Sequence, residues 1–336
     1  MRFAQHTSCA LKRILLAAPC AVGGQAVLEG VMMRNDNNLA VAVRLNDGSI
    51  TVGRMPWFKL SNSPLLQKPF LRGFPILMET MVNGIKALNF SARQAGLEES
   101  GEELKSWHIA LTLVASIALA LGLFVVLPHL FSLFMEFLGY SGGLNSLSFH
   151  AWDGLFKFAL FIAYIAGISF LPDIHRVFQY HGAEHKVIWA YEKEEPLNAA
   201  SAMRMSRLHP RCGTTFLLFV LSIAILLHTV SVPAALYFWT PENPVLKHAA
   251  VIVFKLFLMI PISAIAYEAI KASSRLKDPF VGAILRFPGL FLQLLTTRAP
   301  NADQVDVALV ALKEALASDA PAMEIPAYHC LEEGAC

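Results

Sequence analysis

Four stretches, near residues 109 to 134, 154 to 171, 213 to 232 and 249 to 270, are apolar and carry very few charges. Each is long enough for a helix to cross a hydrocarbon core about 30 Å thick, which takes roughly 20 residues. None alternates with the period of two that barrel strands need, so the spans read as α-helices whose backbone groups are satisfied internally.

The pattern changes on either side of these spans. Leu39 to Arg54 reads LAVAVRLNDGSITVGR, two β-prone runs around Asn46, Asp47 and Gly48, which predicts a hairpin. The run Gln25 to Met33, after Gly23 and Gly24, offers a third strand; no Gly-Lys-Ser/Thr follows those glycines, so they are not a phosphate loop. Between Pro75 and Ala92 the apolar positions Ile76, Leu77, Met81, Ile85 and Leu88 form a helical stripe, expected to lie on a membrane or pack on the β element, with Pro75 in the first turn. Glu98, Glu99, Glu102 and Glu103 form an acidic linker into the first span. Beyond the fourth span, Phe280 to Leu295 is apolar but interrupted by Arg286 and Pro288, which favours an interfacial or re-entrant segment over a fifth crossing. A soluble helix is expected from about Asp303, with Val305, Ala308, Leu309, Leu312 and Leu316 on one face, followed by a frayed end.

The expected fold is mainly α: a polytopic membrane protein with four transmembrane helices, a small N-terminal cytoplasmic β element and amphipathic interfacial helices. Its expected divisions are an unassigned segment 1–20, a cytoplasmic part 21–107, a membrane domain 108–271 that includes the loop 172–212, an interfacial segment and helix 272–317, and a flexible tail 318–336.

Composition agrees: of 336 residues 55% are hydrophobic and 15% charged, with a mean hydropathy of +0.51. Lys plus Arg is 27 against 25 Asp plus Glu, too balanced for neutralising phosphates, so nucleic acid is not an expected partner. The cysteines, Cys9, Cys20, Cys212, Cys330 and Cys336, are odd in number and scattered, and read as thiols. Residues 1–107, 172–212 and 271–336 carry 12, 6 and 6 Lys and Arg, whereas 135–153 carries none and 233–248 only Lys247. By the positive-inside rule both termini and the central loop face the cytoplasm, in a cell inner membrane. Lys157 and Lys255 fall in the outer parts of the second and fourth spans, where they are expected to snorkel outward, with no acidic partner inside a span. Lys12, Arg13 and the short apolar run Ile14 to Ala18 faintly resemble a signal peptide, but cleavage is not expected because the apolar run is short and the segment after it is basic.

The chemistry concentrates in the central loop, which contains HGAEH (His181, Glu184, His185) and HPRC (His209, Cys212). Four residues of helix put His181 and His185 on one face, a spacing at which two imidazoles grip one metal ion. HxxEH is the inverted zincin order, in which the carboxylate, here Glu184, acts as general base toward water. His209 and Cys212 are a second chelating pair, and a helix N-terminus at Cys212 favours the ligating thiolate; the donor set prefers zinc or another borderline-soft divalent ion. Glu192, seven residues after His185, is a possible additional ligand. Four filled positions suggest a structural clamp and three an open, catalytic site; both remain open at this point. His175 falls off the helical face, Cys212 as a nucleophile is a lesser alternative, and Glu268 is expected to be a solvated edge carboxylate. Arg204, Arg207 and Arg211 suit either an anionic headgroup or the topology alone.

The blocks GGQAVLEGVMMR (23–34), LNFSA (88–92), YHGAEHK (180–186), HPRCGTTFLL (209–218) and PGLFLQLLTTRAPNADQVDVALVALK (288–313) resemble the signature blocks of the YqhQ-like family. These are bacterial multi-pass membrane proteins of unknown function described as predicted metal-dependent enzymes. The resemblance covers roughly residues 20 to 317 and implies that the family's His, Glu and Cys pattern falls on His181, Glu184, His185, His209 and Cys212. The leading expectation is a membrane-embedded zinc-type hydrolase acting at the cytoplasmic interface on a lipid or membrane-protein substrate. The rival is a non-enzymatic assembly or scaffold protein with a structural metal site and a partner on the cytoplasmic side, and a transporter stands third.

Overall fold

The computed structural model describes residues 22–60, 63–100, 106–273, 279–317 and 324–328. The signal-like start, Glu102, Glu103 and the remaining cysteines besides Cys212 lie outside the described residues.

The N-terminal part is an antiparallel meander of β1 (Val22–Val27), β2 (Gly30–Asn35), β3 (Asn38–Arg44) and β4 (Ile50–Pro56). The predicted hairpin is β3 and β4, turned by Asn46 to Gly48, where Asp47 Oδ1 accepts from Ser49 N at 2.8 Å and Gly48 N donates to Leu45 O at 3.0 Å. β5 (Glu324–Tyr328) adds to β4 as the fifth strand, so part of the segment expected to fray is paired.

Strand alternation sends Val31, Met33, Ala40, Ala42, Ile50 and Val52 into one core and Met32, Leu39, Val41 and Val43 into another. This accounts for the near-continuous apolar run at 39–43: the sheet is covered on both faces. One cover is made by α5 (Pro172–Glu192) and α11 (Ala302–Leu316), through Tyr180, Ala183, Val187, Leu309 and Leu312. Asn301 and Gln304 form a capping box that starts α11, and Arg54 Nε donates to Glu314 Oε2 at 2.7 Å, tying α11 to β4.

The other cover is α1 (Gly73–Ser100), which packs on the β element as expected, though not through its apolar stripe. Its buried face is not the apolar stripe but Glu79, Asn83, Ala87 and Ser91, while Met81 and Leu88 are exposed. Glu79 Oε1 accepts from Leu60 N at 2.8 Å and Asn83 bonds both the N–H and the carbonyl of Phe58, at 2.9 and 3.0 Å. The polar face is buried because it satisfies the irregular backbone leaving β4. Arg72, just before α1, makes a bidentate ion pair with Glu268 at 2.7 and 2.6 Å, so Glu268 ties the sheet region to the fourth span rather than being merely solvated.

Four helical stretches among the described residues are long and apolar enough to cross a membrane: Leu111–Phe137, Leu147–Ile168, Gly213–Phe238 and Pro244–Ala272. The first comprises α2 (Ser106–Leu121), a π-helical turn (Gly122–Val126) and α3 (Leu127–Phe137). The second is α4 (Leu147–Ile168), the third α7 (Gly213–Phe238), and the fourth combines α8 (Pro244–Phe257) and α9 (Met259–Ser273). A short α6 (Ala199–Met203) lies between α5 and α7. α10 (Pro279–Thr296) is a helix that continues through Pro288 and packs along α7.

The second span begins at Leu147, capped by Ser146, so Asp153 belongs to the span and not to a loop. That corrects the reading of Lys157 and Lys255. Both are buried and turn inward onto Asp153 Oδ2, at 3.3 and 2.9 Å, instead of snorkelling.

α5 crosses the strand-like segment after α10 at Gly182, where a Cβ would overlap the carbonyl oxygen of Arg298; Arg298 N also donates to Phe178 O at 2.8 Å. Gly182→Ala is expected to destabilise the protein by about 1–3 kcal/mol through overpacking against backbone, read as a lowered unfolding midpoint of the full chain in detergent. A midpoint equal to wild type would show that α5 can shift away from Arg298 without loss.

Candidate metal centre

α5 begins with Pro172 at its first position and carries Ala183, Val187 and Ala190 into the sheet core. That anchoring turns the face with His181 and His185 toward the start of α7, and their rings meet with centroids 4.4 Å apart.

The two imidazoles are held alike. His181 Nδ1 donates to Thr296 O at 2.8 Å and His185 Nδ1 to Arg207 O at 2.5 Å. A carbonyl oxygen only accepts, so each Nδ1 carries the hydrogen and each Nε2 is left with its lone pair. His181 Nε2 lies 3.2 Å from Cys212 Sγ, and His185 Nε2 is buried with no hydrogen-bond partner among the described residues. The donor atoms of His181, His185 and Cys212 all lie within 4.8 Å of one another. Cys212 is the N-cap of α7, its Sγ 3.5 Å from Thr214 N and 3.2 Å from Thr214 Oγ1. Two imidazoles and a sulfur, with second nitrogens fixed by backbone carbonyls, form a donor set that suits a borderline-soft divalent ion and leaves a fourth position free.

His209 and Glu192 stand beside this group, outside it. Gln293 locks His209 by accepting from its N–H and donating to its carbonyl, both at 2.8 Å. The ring packs on Trp189, 4.7 Å between centroids, and its Nε2 points at Glu192 Oε1, 3.4 Å away. Burial lowers its pKa to about 4, so at neutral pH the contact is between a neutral imidazole and a carboxylate. Glu192 is also the ion-pair partner of Arg211. Burial lowers the basicity of His185 too, which favours the neutral, ligating form.

Glu184 is buried, and burial pushes its carboxyl above the usual range while His181 and His209 pull it down. Its Cγ and Cδ occupy the place a Cβ on Gly24 would fill, at 2.9 Å. Gly24 is thus a site residue that sequence reasoning missed. The GG pair was read only as not a phosphate loop; the signal lay in the block GGQAVLEG.

The remaining candidates are ordinary. His175 is exposed at the start of α5. Arg207 Nη1 donates to Thr297 O at 2.6 Å, Arg211 meets Glu192, and Arg204 lies 3.7 Å from Glu195, so the arginines brace the loop.

A bundle of membrane-spanning length joined to a covered sheet, with a His/His/Cys group where the two meet, defines a polytopic α-helical membrane protein with a candidate metal centre. Residues 68–318 match the family described as "Protein of unknown function (DUF1385)", and the chain belongs to that family. It is similar to "Uncharacterized protein YqhQ" of Bacillus subtilis (strain 168), 36% identical over 312 residues, which are 90% of this chain and 94% of that protein. No solved structure matches.

The Gln293 lock gives a local test. Gln293→Leu strands the buried N–H and carbonyl of His209 and is expected to cost about 2 kcal/mol or more; Gln293→Glu, which keeps the acceptor, should fall between it and wild type. The order of the three unfolding midpoints checks this.

Proposed function

We propose that this protein is a membrane-embedded, metal-dependent hydrolase acting at the cytoplasmic face of the inner membrane on a lipid or membrane-protein substrate. The observation that carries the reading is the convergence of His181, His185 and Cys212, whose ligand atoms lie within 4.8 Å of one another, with both imidazoles protonated at Nδ1 and carrying a free lone pair on Nε2. Three protein donors with a free position are the pattern of catalytic zinc sites. A zinc ion there would supply Lewis-acid activation of water. Glu184, one position before His185 and close to His181 and His209, is the carboxylate that takes the proton and returns it to the leaving group.

A membrane substrate is supported by the apolar crevice of about 300 Å³ between α4, α7 and α10, lined by Phe158, Leu218, Phe287 and Leu292. One turn further, α10 carries the carbonyl of Thr296 that holds His181, so an acyl chain or apolar side chain in the crevice would lead to the histidines. The Lys and Arg excess in the segments at this end supports a cytoplasmic orientation of the site and both termini.

A structural clamp is the second reading, favoured by His209, whose ring centroid is 5.7 Å from that of His185 and whose Nε2 has no hydrogen bond of good geometry among the described residues. Turned inward, it would fill the fourth position and close the site.

One set of variants tests both. Purified full chain should hold about one equivalent of zinc or iron by elemental analysis, falling below roughly a tenth in His181→Ala, His185→Ala and Cys212→Ser, while His209→Ala and Glu184→Gln retain it. In hydrolysis assays on fluorescent phospholipids and transmembrane peptides, Glu184→Gln should lose about 10²–10⁴-fold in rate with metal content intact. Loss of metal in His209→Ala, together with no hydrolysis by wild type, would establish the clamp; a metal-free wild type would end both readings.

A further inference from the structure

A second polar centre lies inside the bundle, well away from the first. His228 is fifteen residues along α7 from Gly213, about 22 Å at the helical rise. Around it stand Asp153 and Lys157 of α4 and Lys255 of α8, all buried. Lys157 Nζ and Lys255 Nζ lie 3.3 and 2.9 Å from one carboxylate oxygen, Asp153 Oδ2, so two ammonium groups share a single negative charge. The other carboxylates of the four spans are engaged elsewhere: Glu268 pairs with Arg72, and Glu136 lines a cavity at the loop end.

Three features point to a guest of negative charge. With both lysines protonated the cluster has one positive charge more than Asp153 balances, and burial makes an unbalanced ion costly. His228 is only 5% exposed, and among the described residues neither ring nitrogen makes a hydrogen bond to a side chain; the ring stands near both lysines and meets the backbone of Lys255. Further, a cavity of about 1040 Å³ opens at the end of the bundle opposite Cys212 and reaches His248 and Leu144. His248 Nδ1 is 2.9 Å from Nε2 of buried His129, and His150 Nε2 donates to Leu144 O at 2.9 Å; both buried imidazoles also stand near Asp153 and Lys255. The mouth holds Glu136 and Glu242 as well as Lys247, so selection for negative charge lies at the lysines and not at the entrance.

We propose that Lys157, Lys255 and His228 bind one small anion, or the singly charged anionic end of a larger solute, admitted from the cavity past His248 and His129. The lysines donate to it, His228 adds an N–H, and Asp153 limits the affinity by taking part of their charge.

The test uses full chain in a non-ionic detergent, with unfolding midpoints followed against chloride, acetate or inorganic phosphate at constant ionic strength kept by a bulky sulfonate salt. At least one of the three should raise the midpoint saturably. Lys255→Met and, as a second variant, Lys157→Met should weaken that response at least tenfold. Asp153→Asn should strengthen it severalfold, an opposite sign that misfolding does not mimic. Cys212→Ser should leave it unchanged. Chloride alone would identify a free inorganic ion, and acetate or phosphate the end of a larger solute. No anion-specific rise in wild type, an undiminished response in both lysine variants, or a weakened response in Asp153→Asn would overturn the proposal.

Discussion

Two backbone carbonyls, those of Thr296 and Arg207, decide what the polar centre beside α5 is able to do. By accepting from Nδ1 of His181 and His185 they fix both tautomers, leave both Nε2 lone pairs free, and hold that of His181 against Cys212. Without them the rings would rotate, and either nitrogen would face the sulfur. The carbonyls are themselves secured at a distance: Thr296 closes α10, and Arg207 sends its guanidinium to Thr297 O beside it. The sheet cores fix the other side by anchoring Ala183, Val187 and Ala190. The site therefore depends on the alignment of the sheet, α5, α7 and the end of α10.

The parts of this arrangement that are local in sequence were legible in it. Hydropathy located the four spans, the Asn-Asp-Gly turn located the hairpin, and spacing brought His181, His185 and Cys212 to attention. What depended on direction in space was not. HPRC put His209 and Cys212 three residues apart, but the Gln293 amide, far along the chain, turns His209 toward Glu192. Glu192 sits at a helical spacing suited to ligation, yet Arg211 engages it. On α1 the helix and its place on the β element were legible but not the face it buries, because the backbone at Phe58 and Leu60 competes for the interior more strongly than Met81 or Leu88. Asp153 was hidden because its helix begins at a serine cap before hydropathy rises, which put the partner of both lysines in a supposed loop.

The two polar centres sit at different levels of α7, and the stretch between them is mainly apolar, with Ser222 in the crevice lining. Leu218 faces the crevice beside α10, and Ala224 is buried before His228 is reached. The two centres stand apart along the bundle, one at the junction with the sheet and the other beside Asp153.

The sheet's part in the site is more than support. Gly24 on β1 leaves the space that Glu184 fills, so the strand presses a bare backbone against the carboxylate and excludes water from it. Burial of this kind holds a carboxyl closer to its protonated form than solvent would. The same strand is aligned with α5 by Arg176, whose Nε donates to Glu29 Oε1 at 2.6 Å in the turn after β1. A shift of β1 along α5 would move the wall behind Glu184 before it moved either histidine. The environment of the carboxylate and the geometry of the three donors are thus set by different contacts, which lets one be altered while the other stays intact.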